Sequence, residues 1–191
     1  EGRKNHQGYA TNLITDFGLD WLENERDKKK PFCLFLHHKA AHRNWMSDTT
    51  YLKAYEDKTF ELPTNFYDDY SGRKAAKMQE MSIASDRDMD IVNDLKMLRP
   101  GVSTRLSEQY IQGEYARLDS AQKTKWDAHY QPIIDAFYAS GLQGNELAEW
   151  KYQRYMRDYA KTIKSLDENV GRILDYLEKN GMLENTVVIY T

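Results

Sequence analysis

An α/β fold, mostly helical and built on a few parallel strands, is predicted by three features of the sequence. The first is the continuous apolar run Phe32–Leu36, opened by Pro31, which suits a strand buried on both faces. The second is the strand-like run Thr186-Val187-Val188-Ile189-Tyr190 near the other end. The third is the long helical text between them, above all Trp150 to Lys179. A strand, a helical excursion and a second strand make a βαβ unit with a right-handed crossover. The two strands are then expected side by side in one sheet, with the long helix packed on its face.

The elements follow in order. Glu1 to Gly8 is polar and reads as a loop. Thr11 is the expected N-cap of a helix that carries Leu13, Ile14, Phe17 and Trp21 on one face. Asn24 to Lys30 is a charged, solvated tail. After the Phe32–His37 strand the polarity switches abruptly to His37, His38, Lys39, His42, Arg43 and Asn44. Tyr51 to Tyr55 reads as a helical turn. Phe60-Glu61-Leu62-Pro63 is extended, because a residue before proline is pushed towards β or polyproline geometry. Asp68-Asp69-Tyr70-Ser71-Gly72-Arg73 marks a turn, and two adjacent carboxylates rarely point together at a metal.

Lys74 to Gly141 is rich in helix formers, interrupted at Arg99-Pro100-Gly101, with Ser103 or Thr104 as the next cap. Ser140-Gly141 closes another helix, and Asn145 is a candidate cap for the last one. Tyr152, Tyr155, Tyr159, Ile163, Leu166, Val170, Ile173, Leu174 and Leu177 recur at steps of three and four. They predict one apolar stripe along a helix of about eight turns. Asn180-Gly181 supplies its left-handed stop. The stretch from about 75 to 145 is read as a helical insertion on the βαβ unit.

Composition bounds the function. The 191 residues, with 40% hydrophobic and 30% charged side chains, fit one soluble globular domain. Mean hydropathy is low at -0.83, and 14 tyrosines make the chain aromatic yet polar. A net charge of -3 supports neither a nucleic-acid partner nor an anionic membrane. Cys33 is the only cysteine, which excludes an internal disulfide. Its place in the apolar run predicts an inert, protonated thiol. The chain starts at Glu1 without a methionine and stops at Thr191 within the strand-like run. It therefore reads as an internal piece of a longer protein, and a missing signal peptide says nothing of where that protein works.

Ligands of open α/β sheets bind beyond the carboxyl ends of the strands, so the loop after Leu36 is where chemistry is expected. Its imidazoles and cations suit an anionic substrate and acid–base work. Composition alone serves a core strand and a solvated loop equally well. His38 and His42 stand four apart, a zinc spacing on a helix. Lys39 occupies the position where such a motif needs glutamate, and the segment reads as a loop, so no metal ligands are assigned. His129 reads as a surface or packing residue rather than a ligand.

Gly8-Tyr9-Ala10-Thr11-Asn12-Leu13-Ile14-Thr15-Asp16, then Pro31 to Trp45, and finally Tyr159 to Gly181 running into Asn185–Thr191, resemble the middle of a type I sulfatase. These enzymes belong to the alkaline-phosphatase superfamily and cleave sulfate esters with a formylglycine nucleophile and calcium. The resemblance implies an internal fragment, spanning 1–191, of a three-layer catalytic domain. It implies that His42 hydrogen-bonds the ester oxygen and protonates the leaving alcohol. Lys39, Arg43, Asn44 and Trp45 beside it are candidate contacts for sulfate or sugar, without a fixed family role. Ala41 stands where family sequences often have proline.

The nucleophile motif, Cys or Ser followed by x-Pro-x-Arg, is absent, and Leu34-Phe35 after Cys33 rules that cysteine out as its precursor. The implied calcium aspartates belong outside the chain, so calcium and formylglycine are expected in the intact parent and neither on this fragment, which is expected to be inactive alone. The implied partner is a sulfated carbohydrate, a sulfated sugar or glycosaminoglycan. The implied location is periplasmic, secretory-pathway or extracellular. A phosphatase or phosphodiesterase of the same superfamily and a non-catalytic helical interaction module are the alternatives.

Overall fold

A computed structural model describes residues 4–79, 82–85 and 88–191. Among the described residues four α-helices carry the architecture: α1 (Ala10–Asp20), α2 (Lys74–Met78), α3 (Ser120–Ser140) and α4 (Gly144–Lys179). The chain divides into two compact units, Glu1–His42 with Thr162–Thr191, and Arg43–Lys161. No helix among the described residues is long and apolar enough to cross a membrane.

In the first unit α1 begins one residue before the expected cap: Tyr9 is the N-cap and Thr11 lies inside the helix, buried. The predicted apolar face is not the packed one. Thr11, Thr15, Gly18 and Leu22, at steps of four, three and four, are buried, whereas Phe17 is half exposed. The reason is close approach. A Cβ at Gly18 would lie 2.6 Å from Leu36 Cδ2, so the small-residue face is where residues 31–38 can reach the helix. Thr15 Oγ1 is hydrogen-bonded to His38 Nε2 at 3.0 Å in the same contact. The Thr162–Lys179 part of α4 meets α1 and its π-helical extension Trp21–Glu25 through polar groups. Asn169 Nδ2 donates to Asn12 Oδ1 at 2.8 Å and Tyr176 Oη to Glu23 Oε2 at 2.6 Å. The helix stops as predicted. Gly181 adopts φ +62°, its N–H donates to Glu178 O, and the Met182 N–H donates to Leu177 O.

Among the described residues no β-strand is formed, at Phe32–His37, at Thr186–Tyr190 or elsewhere. A strand is defined by a hydrogen-bonded neighbour, and these segments are extended without one. The expected parallel pairing is therefore absent from this structure. Residues 32–39 keep the strand signature in their burial, alternating half-buried Phe32, Leu34, Leu36 and His38 with exposed Cys33, Phe35, His37 and Lys39. Phe35 is 75% exposed and Val187 86%. The same alternation places Cys33 on the open side of the segment, exposed rather than enclosed in the apolar run.

The second unit holds a hydrophobic core of Leu52, Ile91, Val92, Leu95, Met97, Tyr110, Trp126, Tyr130 and Ile134. Its α3 opens with a capping box, Asp119 accepting from the Gln122 N–H and the Gln122 side chain accepting from the Asp119 N–H. Gly141, at φ +63°, ends it as expected. The predicted helical text before α3 largely fails. After the five-residue α2, residues 90–97 form a buried irregular segment. Asp90 explains it: its carboxylate accepts from the N–H groups of Val92, Asn93 and Leu106 and from Thr104 Oγ1. A short acid that captures nearby donors outcompetes the helix that the composition favours. Phe60–Pro63 lies outside any helix, and the Gln153 amide pairs with both the N–H and the C=O of Phe60.

Candidate active site

Each candidate residue is described within the unit to which it belongs. In the first unit, Lys39 and His42 follow the extended segment, both exposed, and the His42 N–H closes a turn onto Lys39 O at 2.8 Å. His38 is half-buried against α1. Burial holds its imidazole below the ordinary value, partly offset by a hydrogen bond to the Thr11 backbone. His37 is exposed, edge-on to Phe35. An exposed imidazole and an exposed ammonium three residues apart can meet an anionic ester and exchange a proton with it.

In the second unit, the three residues after His42 are each tied down. The Arg43 guanidinium forms a two-pronged pair with the Asp94 carboxylate, Nε to Oδ1 at 2.7 Å and Nη2 to Oδ2. Asn44 is buried and donates to both the backbone O and the side-chain Oδ1 of Asn93, at 2.9 and 3.0 Å. The Trp45 ring stands edge-on to Tyr155, centroids 4.5 Å apart, and its carbonyl accepts from Lys96 Nζ at 3.3 Å.

Lys96 leads into a buried ionic cluster. Its Nζ donates to Asp158 Oδ2 at 3.2 Å. Asp158 also accepts from Arg154, at 2.5 Å, from Lys161 and from Tyr130 Oη. Arg154 and Lys161 reach on to Glu56, which His129 also approaches at 3.4 Å. Burial pushes the Asp158 carboxyl up, but Arg154, Lys96 and Lys161 outweigh it and hold it at about 2. Glu56 follows the same logic: burial raises it, while hydrogen bonds from His129 and Arg154 and the nearby cations bring it well below the usual range. Burial lowers Lys96, and the Asp158 charge opposes that.

This cluster was not anticipated. In the first half of α4 the buried face carries Ala148, Lys151, Arg154, Asp158 and Lys161, while Tyr152, Tyr155 and Tyr159 are only half-buried. The apolar stripe is real in the sequence but is not the fully covered face there. The signal was present, since the four charges recur at steps of three, four and three, the period of a helix face. Elsewhere, Asp68 and Asp69 accept from the Tyr70 and Ser71 N–H groups of a turn, and Asp68 pairs with Arg73. Among the described residues no three His, Cys, Asp or Glu side chains are grouped to hold a metal ion.

The comparison with known proteins agrees with the sequence motifs. The sulfatase family model matches residues 2–191, and the chain belongs to the sulfatase family. An N-acetylglucosamine-6-O-sulfatase of Bacteroides thetaiotaomicron is 45% identical over 186 residues, covering 97% of this chain and 33% of that protein. A solved structure of BT4656 in complex with its substrate D-glucosamine-2-N,6-O-disulfate superposes with a TM-score of 0.83 at 44% identity. That match covers 95% of this chain and 36% of the other. The chain thus spans about a third of the length of the relatives it matches.

Proposed function

We propose that this chain is the central part of a sulfuric ester hydrolase that removes sulfate from sulfated amino sugars. The observation that carries the reading is the similarity, over nearly the whole chain, to an N-acetylglucosamine-6-O-sulfatase and to a sulfatase bound to a glucosamine disulfate. His42 acts on the leaving group. As the sulfur–oxygen bond to the sugar breaks, the electron pair goes to the sugar oxygen, and the protonated imidazole donates its proton there. Lys39 supplies an exposed cation for sulfate. Arg43, Asn44 and Trp45 contribute through the shape of the loop they form.

Calcium and formylglycine are the family expectation, and the described residues do not fit either. The described residues hold no metal-binding cluster, and the sequence has no Cys or Ser followed by x-Pro-x-Arg. No step assigned to these residues runs through those groups. We assign Phe32–His37 and Thr186–Tyr190 to strands of a parallel sheet in the whole enzyme. What supports this is the strand-like alternation of the first and the open apolar side chains of the second. We place the enzyme outside the cytoplasm, as the family expectation has it.

The test is an assay of the whole enzyme on N-acetylglucosamine-6-sulfate, on an aryl sulfate and on the 6-phosphate ester. Sulfate release from the amino sugar in preference to phosphate release is the expected result. Phosphate release without sulfate release would replace this reading with the phosphatase alternative, and no turnover of any ester with the interaction module.

A further inference from the structure

We propose that Asp94, together with Asn93, is a positioning residue that fixes the loop presenting His42; the inference rests on the role proposed for His42. The Asp94 carboxylate is fully buried and wholly engaged. Besides the paired bonds from Arg43 it accepts from the Asp90 N–H at 2.7 Å and from Asn93 Nδ2 at 3.0 Å. The next residue, Asn44, is held by Asn93, and the carbonyl of the one after, Trp45, by Lys96. Three consecutive residues directly after His42 are therefore gripped by residues 93–96. Backbone conformation agrees: Trp45 and Lys96, joined by that bond, both sit at positive φ, 34° and 66°. Side chains rarely adopt such angles unless the surroundings impose them.

Two readings of Arg43 compete. An arginine free to bind sulfate would keep its guanidinium edge for the ligand. Here one edge, Nε and Nη2, is committed to a buried carboxylate in the geometry that arginine and not lysine can satisfy. The charge is also neutralised by that partner. Arg43 is therefore assigned to hold the backbone beside His42. A proton donor misplaced by about 1 Å loses rate on the order of 10²-fold, so a rigid anchor on the adjoining peptide has direct catalytic value.

The experiment is a double-mutant cycle on kcat in the whole enzyme, with Asp94→Asn and His42→Ala made singly and together. A sugar sulfate and an aryl sulfate with a good leaving group are the two substrates. Asp94→Asn is expected to lower kcat on the sugar sulfate by on the order of 10²-fold with little change in KM, and to matter far less on the aryl sulfate. In the His42→Ala background it should add less than about twofold, because both changes remove one function. If Asp94→Asn does not fold, Arg43→Lys, which keeps the charge and loses the two-pronged geometry, carries the same cycle. Losses that multiply in the double variant, or that are equal on both substrates, would reduce Asp94 to a structural brace and leave the sulfatase reading standing. Full activity of His42→Ala on the sugar sulfate would overturn both.

Discussion

The two units of the chain solve opposite problems. Glu1–His42 with Thr162–Thr191 carries the recognisable motifs and leaves apolar side chains, Phe35, Val187 and Ile189 among them, open to solvent. Arg43–Lys161 carries little that is recognisable and yet buries both an aromatic-aliphatic core and a cluster of charges, Lys96, Asp158 and Lys161. The contrast teaches where stability and chemistry are written. The exposed segments are those whose sequence is legible as strands, while the buried charges are legible only once their partners are known. A buried charge is tolerated because several opposite charges and hydrogen bonds converge on it, and removing one leaves the others unpaired.

The largest expected effect is in the second unit. Asp158→Ala strands Lys96, Arg154 and Lys161 without their shared carboxylate, and should cost about 3–5 kcal/mol in denaturant unfolding. A loss close to that of a surface substitution would show that the cluster is not what holds this unit. The same carboxylates set an acid limit. Asp158, ordinarily at 3.8, is held at about 2, and Glu56 is likewise depressed from 4.5. Depressed carboxyls contribute stability that is complete above their unfolded values and is lost as pH falls through their folded ones. Unfolding midpoints should therefore be flat above about pH 5 and fall steadily towards pH 2. Asp158→Asn should flatten that fall; an unchanged pH profile would assign the acid limit to other groups.

A smaller effect tests the core beside the cluster. Trp126 Nε1 donates to Tyr110 Oη at 3.0 Å inside the core. Tyr110→Phe leaves that N–H without its acceptor and should cost about 1–3 kcal/mol, read as a shift in the thermal midpoint. The smallest effect belongs to the first unit. Phe35→Ser in the 191-residue chain should change stability by less than about 0.5 kcal/mol, since the ring is largely exposed. In the whole enzyme, where the segment is assigned to a sheet, the same substitution should cost at least about 2 kcal/mol. Equal small costs in both would remove the sheet assignment.

What the sequence made legible divides along the same line. The helix stop at Asn180-Gly181 and the turn at Gly141 were readable because each rests on local backbone preference. The α1 packing face was not readable from hydrophobicity, since contact with Leu36 selected small residues, Thr11, Thr15 and Gly18, over the larger apolar ones. The irregular 90–97 segment was hidden because helix-favouring composition said nothing of the donors that Asp90 would collect. At the candidate site, His42 is singled out by its motif and lies exposed. The partners of the following residues, Asn93, Asp94 and Lys96, lie about fifty positions away, too far for any local pattern to link them.

The central claim is that His42 protonates the departing sugar oxygen, and its most direct measurement is the dependence of the His42→Ala loss on the leaving group. Turnover of the whole enzyme on an amino-sugar 6-sulfate should fall by roughly 10²–10⁴-fold, the usual contribution of general acid catalysis. On an aryl sulfate, whose leaving group needs little protonation, the loss should shrink towards nothing. An equal loss on both substrates, or none on the sugar sulfate, would contradict the account.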